Sequence, residues 1–470
     1  MITDTTPPCA NCQRLQARLD ALEATVADLQ RKLAAARKDS SNSSKPPSSD
    51  IVKPPKPQPP PGQDRRQPGG QPGHPSHQRE PFPPEMLAST PSDYLLDACP
   101  GCGGHLLVTD QEPPLVVQQV DIAAVPWEIH EHRSHPAWCP HCAKLHYAPL
   151  PLSIARGGLA GPRLTTVIAY LKGVCHASYS TIRKFIRDVI GLTISRGQLA
   201  KIIAKVSRAL DQPYEELFRS LPDQERLNVD ETGHKQNGQS QWTWCFRAEL
   251  YTMFKIDPRR SGDVLIEVLG AEFDGVLGCD YFSAYRRYHR EFGVALQFCL
   301  AHLIRDVKFL TTLPDRRDRA YGERLIGGLR RLFGVIHRRE EFSAAEFRRR
   351  LEAARAEVLE LGTQDVPATR ASGNLAQRFL KHGESYFRFI TTPGIEPTNN
   401  LAEQAIRFVV IDRRITQGTR GERGNRWCER IWTVVATCSQ QGRSVFEYLE
   451  AAVAAWFRGE ESPSLLPRAS

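Results

Sequence analysis

A proline-rich stretch divides this chain before any other feature is considered. Between Asp39 and Pro84 the sequence runs through SSNSSKPPSSD, KPPKPQPPPGQ and QPGGQPGHP. Proline removes a backbone donor and restricts φ, and few apolar side chains are present to bury, so regular helix or sheet cannot propagate here. Residues 39–84 are therefore expected to form an extended linker, whose basic residues either track phosphates or only solvate a spacer. Any packed core must lie on one side of it. A chain of 470 residues is also too long for one ordinary core, so several domains are expected.

Before the linker, residues 13–37 place Leu15, Leu19, Leu22, Val26, Leu29 and Leu33 at alternating steps of four and three, the seam of a coiled coil. With Leu19, Val26 and Leu33 at the a positions, Arg18 faces Glu23 of a parallel partner, whereas Lys32 faces Arg37. About three heptads make a marginal zipper. The helix either dimerises or docks on its own chain. Cys9 and Cys12 have no second pair nearby and are read as free thiols.

After the linker, residues 85–152 carry two Cys-x-x-Cys pairs, Cys99/Cys102 and Cys139/Cys142. Each tight turn aims two sulfurs at one point, and four thiolates suit a closed tetrahedral zinc site. Between the pairs, LVVQQVDI and VPWEIHEHRSH look strand-like, giving a zinc-ribbon-like module whose small core needs the metal. Four cysteines fill such a site, leaving His105, His141 and the His130/His132/His135 cluster as ordinary exposed histidines. The opening residues lack a signal peptide and no apolar run is long enough to span a bilayer, so a cytoplasmic protein with no membrane partner is expected. The net charge of +9 points to a polyanionic partner, most commonly nucleic acid, although ribosomal and membrane-surface proteins share that balance.

Residues 153–222 read as helices: LAGPRLTTVIAYLKGV, SYSTIRKFIRDVIG and ISRGQLAKIIAKVSRAL. Ser178 or Ser180 can cap the second, Gly191 stops it, and Ser195 can cap the third. The third helix carries Arg196, Lys201, Lys205 and Arg208, compatible with helix-turn-helix DNA binding and equally with a generic helical hairpin.

From residue 223 the pattern changes. ERLNVDETG, QWTWCFRA, LYTMFKI and DGVLGCDYF are strand-like and SGDVLIEVLG helical, an α/β core pattern. Asp230 and Asp280 both end short apolar strands, where their side chains repel each other unless a cation lies between them. Mg2+ or Mn2+ answers that need and suits in-line phosphoryl displacement. Glu403 in PTNNLAEQAIRFVV is the third carboxylate, in the first turn of a helix that Asn399 or Asn400 can cap. About 120 residues separate Asp280 from Glu403, so an inserted domain is expected, and helical spacing places it at about 315–390. Its arginines either contact DNA or form a solvated face. Residues 421–470 suggest two amphipathic helices, with Trp427, Trp432 and Trp456 as packing residues.

The segments NSSKPPSSD, QPGHP, CPGC, CPHC, VDET, CDYFSAY, CLAHLIRD and NNLAEQAIR stand in this order along nearly the entire chain. In that order the chain resembles the IS-sixty-six family of bacterial insertion-sequence transposases. The resemblance implies a multidomain α+β protein: an N-terminal leucine-zipper helix, a zinc-binding domain, a helical region, and a ribonuclease-H-like DDE core over 223–420 with a helical insertion. It places Asp230, Asp280 and Glu403 on the family's acidic positions. It further implies catalytic Mg2+ or Mn2+, structural Zn2+, DNA as both element ends and target, a homo-oligomer, and helper proteins from the same element. Cys299 and His302 resemble a Cys-x-x-His pair of several DDE transposases; either they pack at a helix start, or His302 approaches the scissile phosphate as an auxiliary. Related enzymes often carry a basic residue seven positions after the glutamate. Val410 stands there instead, leaving Arg407 and Arg414 as the nearest phosphate-binding candidates. Two rival expectations remain: a ribonuclease-H-like nuclease that cuts without joining, and a zinc-dependent DNA-binding regulator with a decayed core.

Overall fold

A computed structural model describes residues 10–36, 82–87, 96, 98, 100–104, 116, 118, 120 and 126–466. Two compact units result, Pro55–Glu131 and the remainder of the chain. Most of the expected linker, together with Cys9, Cys99 and His105, lies outside the described residues. In the smaller unit, the Gln118 carboxamide bonds both the N–H (2.6 Å) and the C=O (3.0 Å) of Phe82.

In the larger unit, α1 spans Ala10–Ala36. Its seam residues from Leu15 to Leu33 are each more than half exposed. A hairpin of β1 (Pro136–Cys139) and β2 (Lys144–Tyr147) follows the linker, with Cys139 and Cys142 at its turn. The strand expected over VPWEIHEHRSH is not found: the described residues 126–135 have no pairing strand, and pairing begins only at Pro136.

Five helices come next: α2 (Leu152–Gly157), α3 (Pro162–Gly173), α4 (Tyr179–Phe185), α5 (Arg196–Ala209) and α6 (Asp211–Ser220). The caps follow the sequence expectation. Ser178 accepts from the Thr181 N–H, Ser195 accepts from the Gln198 N–H, and Gly191 takes a left-handed φ of 81°. A single π turn over Ile186–Ile190 extends α4.

The sheet is built from β3 (Arg226–Gln236), β4 (Gln239–Arg247), β5 (Thr252–Asp257), β6 (Val276–Cys279) and β7 (Ala295–Phe298). Its order is β5-β4-β3-β6-β7, with β3, β4 and β5 antiparallel and β6 and β7 running parallel to β3. Asn237 and Gly238, both at positive φ, form the two-residue hairpin turn that matches strand twist. Between β5 and β6 lies α7 (Gly262–Leu269), and between β6 and β7 lies α8 (Ser283–Phe292).

Beyond the sheet come α9 (Leu300–Leu310), α10 (Arg316–His337), α11 (Ala344–Thr363), α12 (Arg370–Thr391), α13 (Asn400–Thr416), α14 (Glu422–Gln440) and α15 (Val445–Arg458). The protein is thus a mixed α/β, multidomain fold with a central sheet and flanking helices. α3 and α5 pack against α14 and α15, so helices before and after the sheet form one layer. Gly173 permits the close approach: a Cβ there would lie 2.3 Å from Ile431.

Both sheet edges are covered. Along β5, alternate backbone N–H groups donate to one stripe of α14: Thr252 to Thr437 (3.2 Å), Phe254 to Thr433 (3.1 Å) and Ile256 to Glu429 (2.6 Å). Positions four apart on a helix share a face, which lets successive turns serve alternate strand residues. Along β7, the buried Gln297 side chain donates to the Tyr386 carbonyl (3.0 Å) and accepts from the Phe389 N–H (2.9 Å). These are backbone groups of α12 that flank its non-helical residue Phe387.

Thr433→Val keeps the shape but removes the acceptor for Phe254. A loss of about 1–3 kcal/mol is expected, the cost of an unsatisfied buried N–H, read as a lower urea midpoint that Thr433→Ser does not show.

Candidate active site

Parallel pairing sets the first two carboxylates. Asn228 on β3 is in register with Gly278 on β6, and two residues further along each chain stand Asp230 and Asp280. The two aspartates therefore leave adjacent strands at the same level. Asp230 Oδ1 accepts the Glu231 N–H (2.9 Å), and Asp280 Oδ1 accepts the Phe282 N–H (2.8 Å).

Asn399 brings in the third. Its side chain donates to the Val229 carbonyl (2.8 Å) and accepts from Asn228 Nδ2 (2.9 Å), while its backbone N–H donates to Cys299 Sγ (3.2 Å). Gly278 makes room for this bridge, since a Cβ there would lie 2.5 Å from Asn228 Nδ2. The Leu300 N–H donates to the Pro397 carbonyl (2.9 Å), tying the approach to α13 onto the start of α9. Asn399 does occupy the N-cap position of α13, yet its side chain does not cap. Its hydrogen-bonding groups are engaged by β3 instead. Glu403 follows one turn later, its N–H donating to the Asn399 carbonyl (3.2 Å).

The neighbourhood is strongly anionic. Burial pushes the Asp230 carboxyl well above its ordinary range, and the carboxylates of Glu231, Asp280 and Glu403 add to this against the Glu231 N–H. Asp280 is raised to about 7 by burial and by Glu231, opposed by the Phe282 N–H and Arg260. Carboxylates so placed need protons or a cation, and an all-oxygen donor set is the kind that a hard divalent ion takes. Asp230, Asp280 and Glu403 are not, as a trio, among the groups of the described residues whose ligand atoms all lie within 4.8 Å of one another.

Glu231 escaped the sequence reading. Strand alternation turns it to the face opposite Asp230, where Arg260 binds its Oε1 through Nε (2.9 Å) and Nη2 (2.7 Å), and Tyr285 donates to its Oε2 (2.5 Å). Arg260 in turn lies between the rings of Trp242 (4.4 Å) and Phe282 (4.1 Å). The signal available in the sequence was the acidic doublet Asp230–Glu231.

Cys299, His302 and Glu403 form a cluster able to hold a metal ion, with ligand atoms all within 4.8 Å of one another. His302 Nδ1 lies 3.5 Å from Glu403 Oε1, and Arg305 Nη2 lies 3.6 Å from Glu403 Oε2. Burial and then Arg305 push the imidazole below its usual range, and burial pushes the Cys299 thiol up.

The other sequence candidates are scattered. Arg196 and Lys201 are exposed on α5, whereas the Lys205 ammonium donates to the Gly157 carbonyl (2.8 Å) and faces the Phe457 ring. Arg407 and Arg414 are exposed on α13. Arg413 points inward to Thr232 Oγ1 (2.8 Å) and the Gly233 carbonyl. Several insertion arginines are paired locally: Arg331 with Glu357, Arg350 with Glu346, and Arg355 with Glu352 and Glu384. At the hairpin turn, the backbone N–H of Cys142 is the first of several donors that lower the Cys139 thiol pKa. Cys102 and Cys142 are exposed.

Residues 157–426, more than half of the chain, match the family described as Transposase IS66 family. The chain belongs to this family. Residues 8–80 match a second family, described as a family of unknown function (DUF6444). An uncharacterized protein of Sinorhizobium fredii (strain NBRC 101917 / NGR234), y4qI, is 24% identical over 352 residues, 67% of this chain and 64% of that protein. The matched region of the IS66 family thus contains the sheet, the insertion and all three carboxylates.

The raised Asp280 pKa has a signed consequence. A carboxyl whose folded pKa exceeds its unfolded value contributes stability below the unfolded pKa and loses it as pH rises through the folded one. In chelator, the melting temperature should fall as pH climbs from about 4 through about 7, and Asp280→Asn should flatten that slope. An unchanged slope in the variant would assign the pH dependence to other groups.

Proposed function

We propose that this chain is a DDE-type transposase of a bacterial insertion sequence, which binds element ends and catalyses metal-dependent DNA cleavage and strand transfer. The observation that carries the reading is the placement of Asp230 and Asp280 at one level of two adjacent parallel strands, with Glu403 on a helix pinned to the first of them, within the IS66 family match. The sheet order, three antiparallel strands followed by two parallel ones, supports a ribonuclease-H-like core over 223–420 with its insertion at about 315–390.

Asp230, Asp280 and Glu403 would hold Mg2+ or Mn2+, which when bound supplies a nucleophile at neutral pH and charge stabilisation at the leaving oxygen. The chain's own contribution is positioning. The Glu231 and Phe282 N–H groups orient the two aspartates, and Asn399 fixes the helix that presents Glu403. With the ion bound, this site would serve water for cutting at the element ends and then the released 3′ hydroxyl for attack on target DNA.

The remaining parts are assigned by the same reading. Exposed Arg196 and Lys201 on α5, in the helical region 153–222, and exposed Arg407 and Arg414 on α13 are DNA-facing candidates. Lys205 is the weakest member of that set, because its ammonium is engaged by Gly157. His302, beside Glu403, is the auxiliary candidate. The two Cys-x-x-Cys pairs, Cys99/Cys102 and Cys139/Cys142, are assigned to structural Zn2+ in a zinc-ribbon-like domain, 85–152. The exposed seam of α1 suits a coiled-coil homodimer over 13–37, and 421–470 is the C-terminal helical region. Element ends, target DNA and helper proteins of the element are the proposed partners. No helix of the described residues is long and apolar enough to cross a membrane, in keeping with a cytoplasmic site of action.

Asp230→Asn, Asp280→Asn and Glu403→Gln should each lower cleavage of end-containing DNA by about a thousandfold or more, some 4 kcal/mol of barrier, while end binding persists in mobility-shift assays. Pre-cleaved ends offered with a target plasmid should be joined by the wild type. Cleavage without joining would make the protein a nuclease, and binding without cleavage in Mg2+ or Mn2+ would make it a regulator.

A further inference from the structure

Cys299 stands at the N-cap of α9 and His302 three residues on, and both meet Glu403 from the first turn of α13. Two atoms in this corner are buried without a hydrogen-bond partner, His302 Nδ1 and Glu403 Oε1, and they face each other at 3.5 Å. Leaving such groups unsatisfied is costly. A shared cation resolves both at once.

We propose that Cys299, His302 and Glu403 form a second cation site, selective for a borderline-soft divalent ion such as Zn2+, which competes with the Asp230/Asp280 pair for Glu403. The donor set carries the selectivity. Asp230, Asp280 and Glu403 offer oxygen alone, which suits Mg2+ or Mn2+, whereas adding one sulfur and one imidazole nitrogen suits Zn2+. Zinc bonds of about 2.0–2.3 Å in tetrahedral geometry place neighbouring ligand atoms roughly 3.2–3.8 Å apart. The His302–Glu403 separation already lies in that range, and the 4.8 Å limit on all three atoms leaves the sulfur within a small side-chain adjustment.

The sulfur is prepared for the role. It accepts the Asn399 N–H at 3.2 Å, a bond that offsets part of the burial that otherwise keeps this sulfur a thiol until a cation arrives. On binding, the thiol proton leaves to solvent, and the fourth position stays open to water. Arg305 approaches the other oxygen of Glu403, Oε2, and so leaves Oε1, buried beside His302 Nδ1, to the cation. Zinc seated there draws the Glu403 carboxylate toward α9 and away from the sheet. Only this last consequence, inhibition of cleavage, rests on the transposase reading.

The test measures tightly bound zinc in the full-length protein by mass spectrometry, for wild type, Cys299→Ser, His302→Gln and Asp230→Asn, with circular dichroism to confirm folding. Cys299→Ser and His302→Gln should each hold about one zinc fewer per chain than wild type, and Asp230→Asn as many as wild type. X-ray absorption of the zinc-loaded wild type, which needs no variant, should show nitrogen or oxygen as well as sulfur around the metal. Equal zinc in the folded variants, or a purely sulfur shell, overturns the proposal. Zinc should also suppress Mg2+-dependent cleavage by wild type at concentrations at least about tenfold lower than those needed for Cys299→Ser. Equal sensitivity of the two would refute the competition for Glu403. Absence of any Mg2+-dependent cleavage would instead refute the transposase reading and leave the zinc count standing.

Discussion

The hydrogen bonds of Asn399 hold together what the chain order separates. After Asp280 the backbone runs through α8, β7 and four further helices before Glu403 arrives, and each intervening joint adds freedom to the returning helix. The Asn399 carboxamide removes that freedom at the last step by bonding Asn228 and Val229 of β3, directly before Asp230. Its backbone N–H adds a third tie to Cys299. Catalytic geometry tolerates displacements of well under an ångström, so a tie beside the functional residue does more than rigidity spread through a long insertion. Gly278 belongs to the same device, because any side chain there would occupy the space through which Asn228 reaches α13.

Charge explains why such a tie is required. Asp230, Asp280 and Glu403 repel one another, and Glu231 adds a fourth carboxylate on the far face of the same strand. Left to itself, this corner would spread apart. Glu231 is neutralised locally, by Arg260 held between two aromatic rings and by the Tyr285 hydroxyl. Among the described residues, the other three carboxylates have weaker partners: one backbone N–H each for Asp230 and Asp280, with Arg260 farther off, and Arg305 and His302 beside Glu403. The strand thus carries a carboxylate whose charge is satisfied by protein beside carboxyls whose charge is not, which is why the Asp230 and Asp280 pKa values rise.

Much of this was legible in the sequence wherever local rules act alone. Ser178, Ser195 and Gly191 bound their helices as cap chemistry requires, and the strand that ends just before Asp280 stands out as a short apolar run. Asp230, by contrast, does not end its strand as expected but lies inside the eleven-residue β3, whose hairpin pairing carries it on through polar residues. β7 and α8 were missed for opposite reasons: a four-residue strand is too short to show a period, and SAYRRYHREF is too polar to read as buried. VPWEIHEHRSH misled because alternation implies a strand only if a partner lies alongside. The bridge of Asn399 was hidden in a different way. Asparagine before a helix signals a cap, and only the tertiary position of β3 redirects its side chain.

The insertion is best understood through the sheet edges. α14 covers one edge through Glu429, Thr433 and Thr437, and α12 lies against the other through Gln297, so neither β5 nor β7 is left as an open edge. That gives α12 and α14 a structural role at the sheet edges, whatever else they do. Arg331, Arg350 and Arg355 pair with carboxylates of the insertion itself, which leaves them less charge to offer a phosphate backbone. α13 is arranged differently: Arg413 is directed inward to β3, while the exposed Arg407 and Arg414, four and eleven positions after Glu403, fall on the same stripe of the helix as that carboxylate. Because one rigid helix carries all three side chains, the tie at Asn399 that sets Glu403 sets both arginines with it.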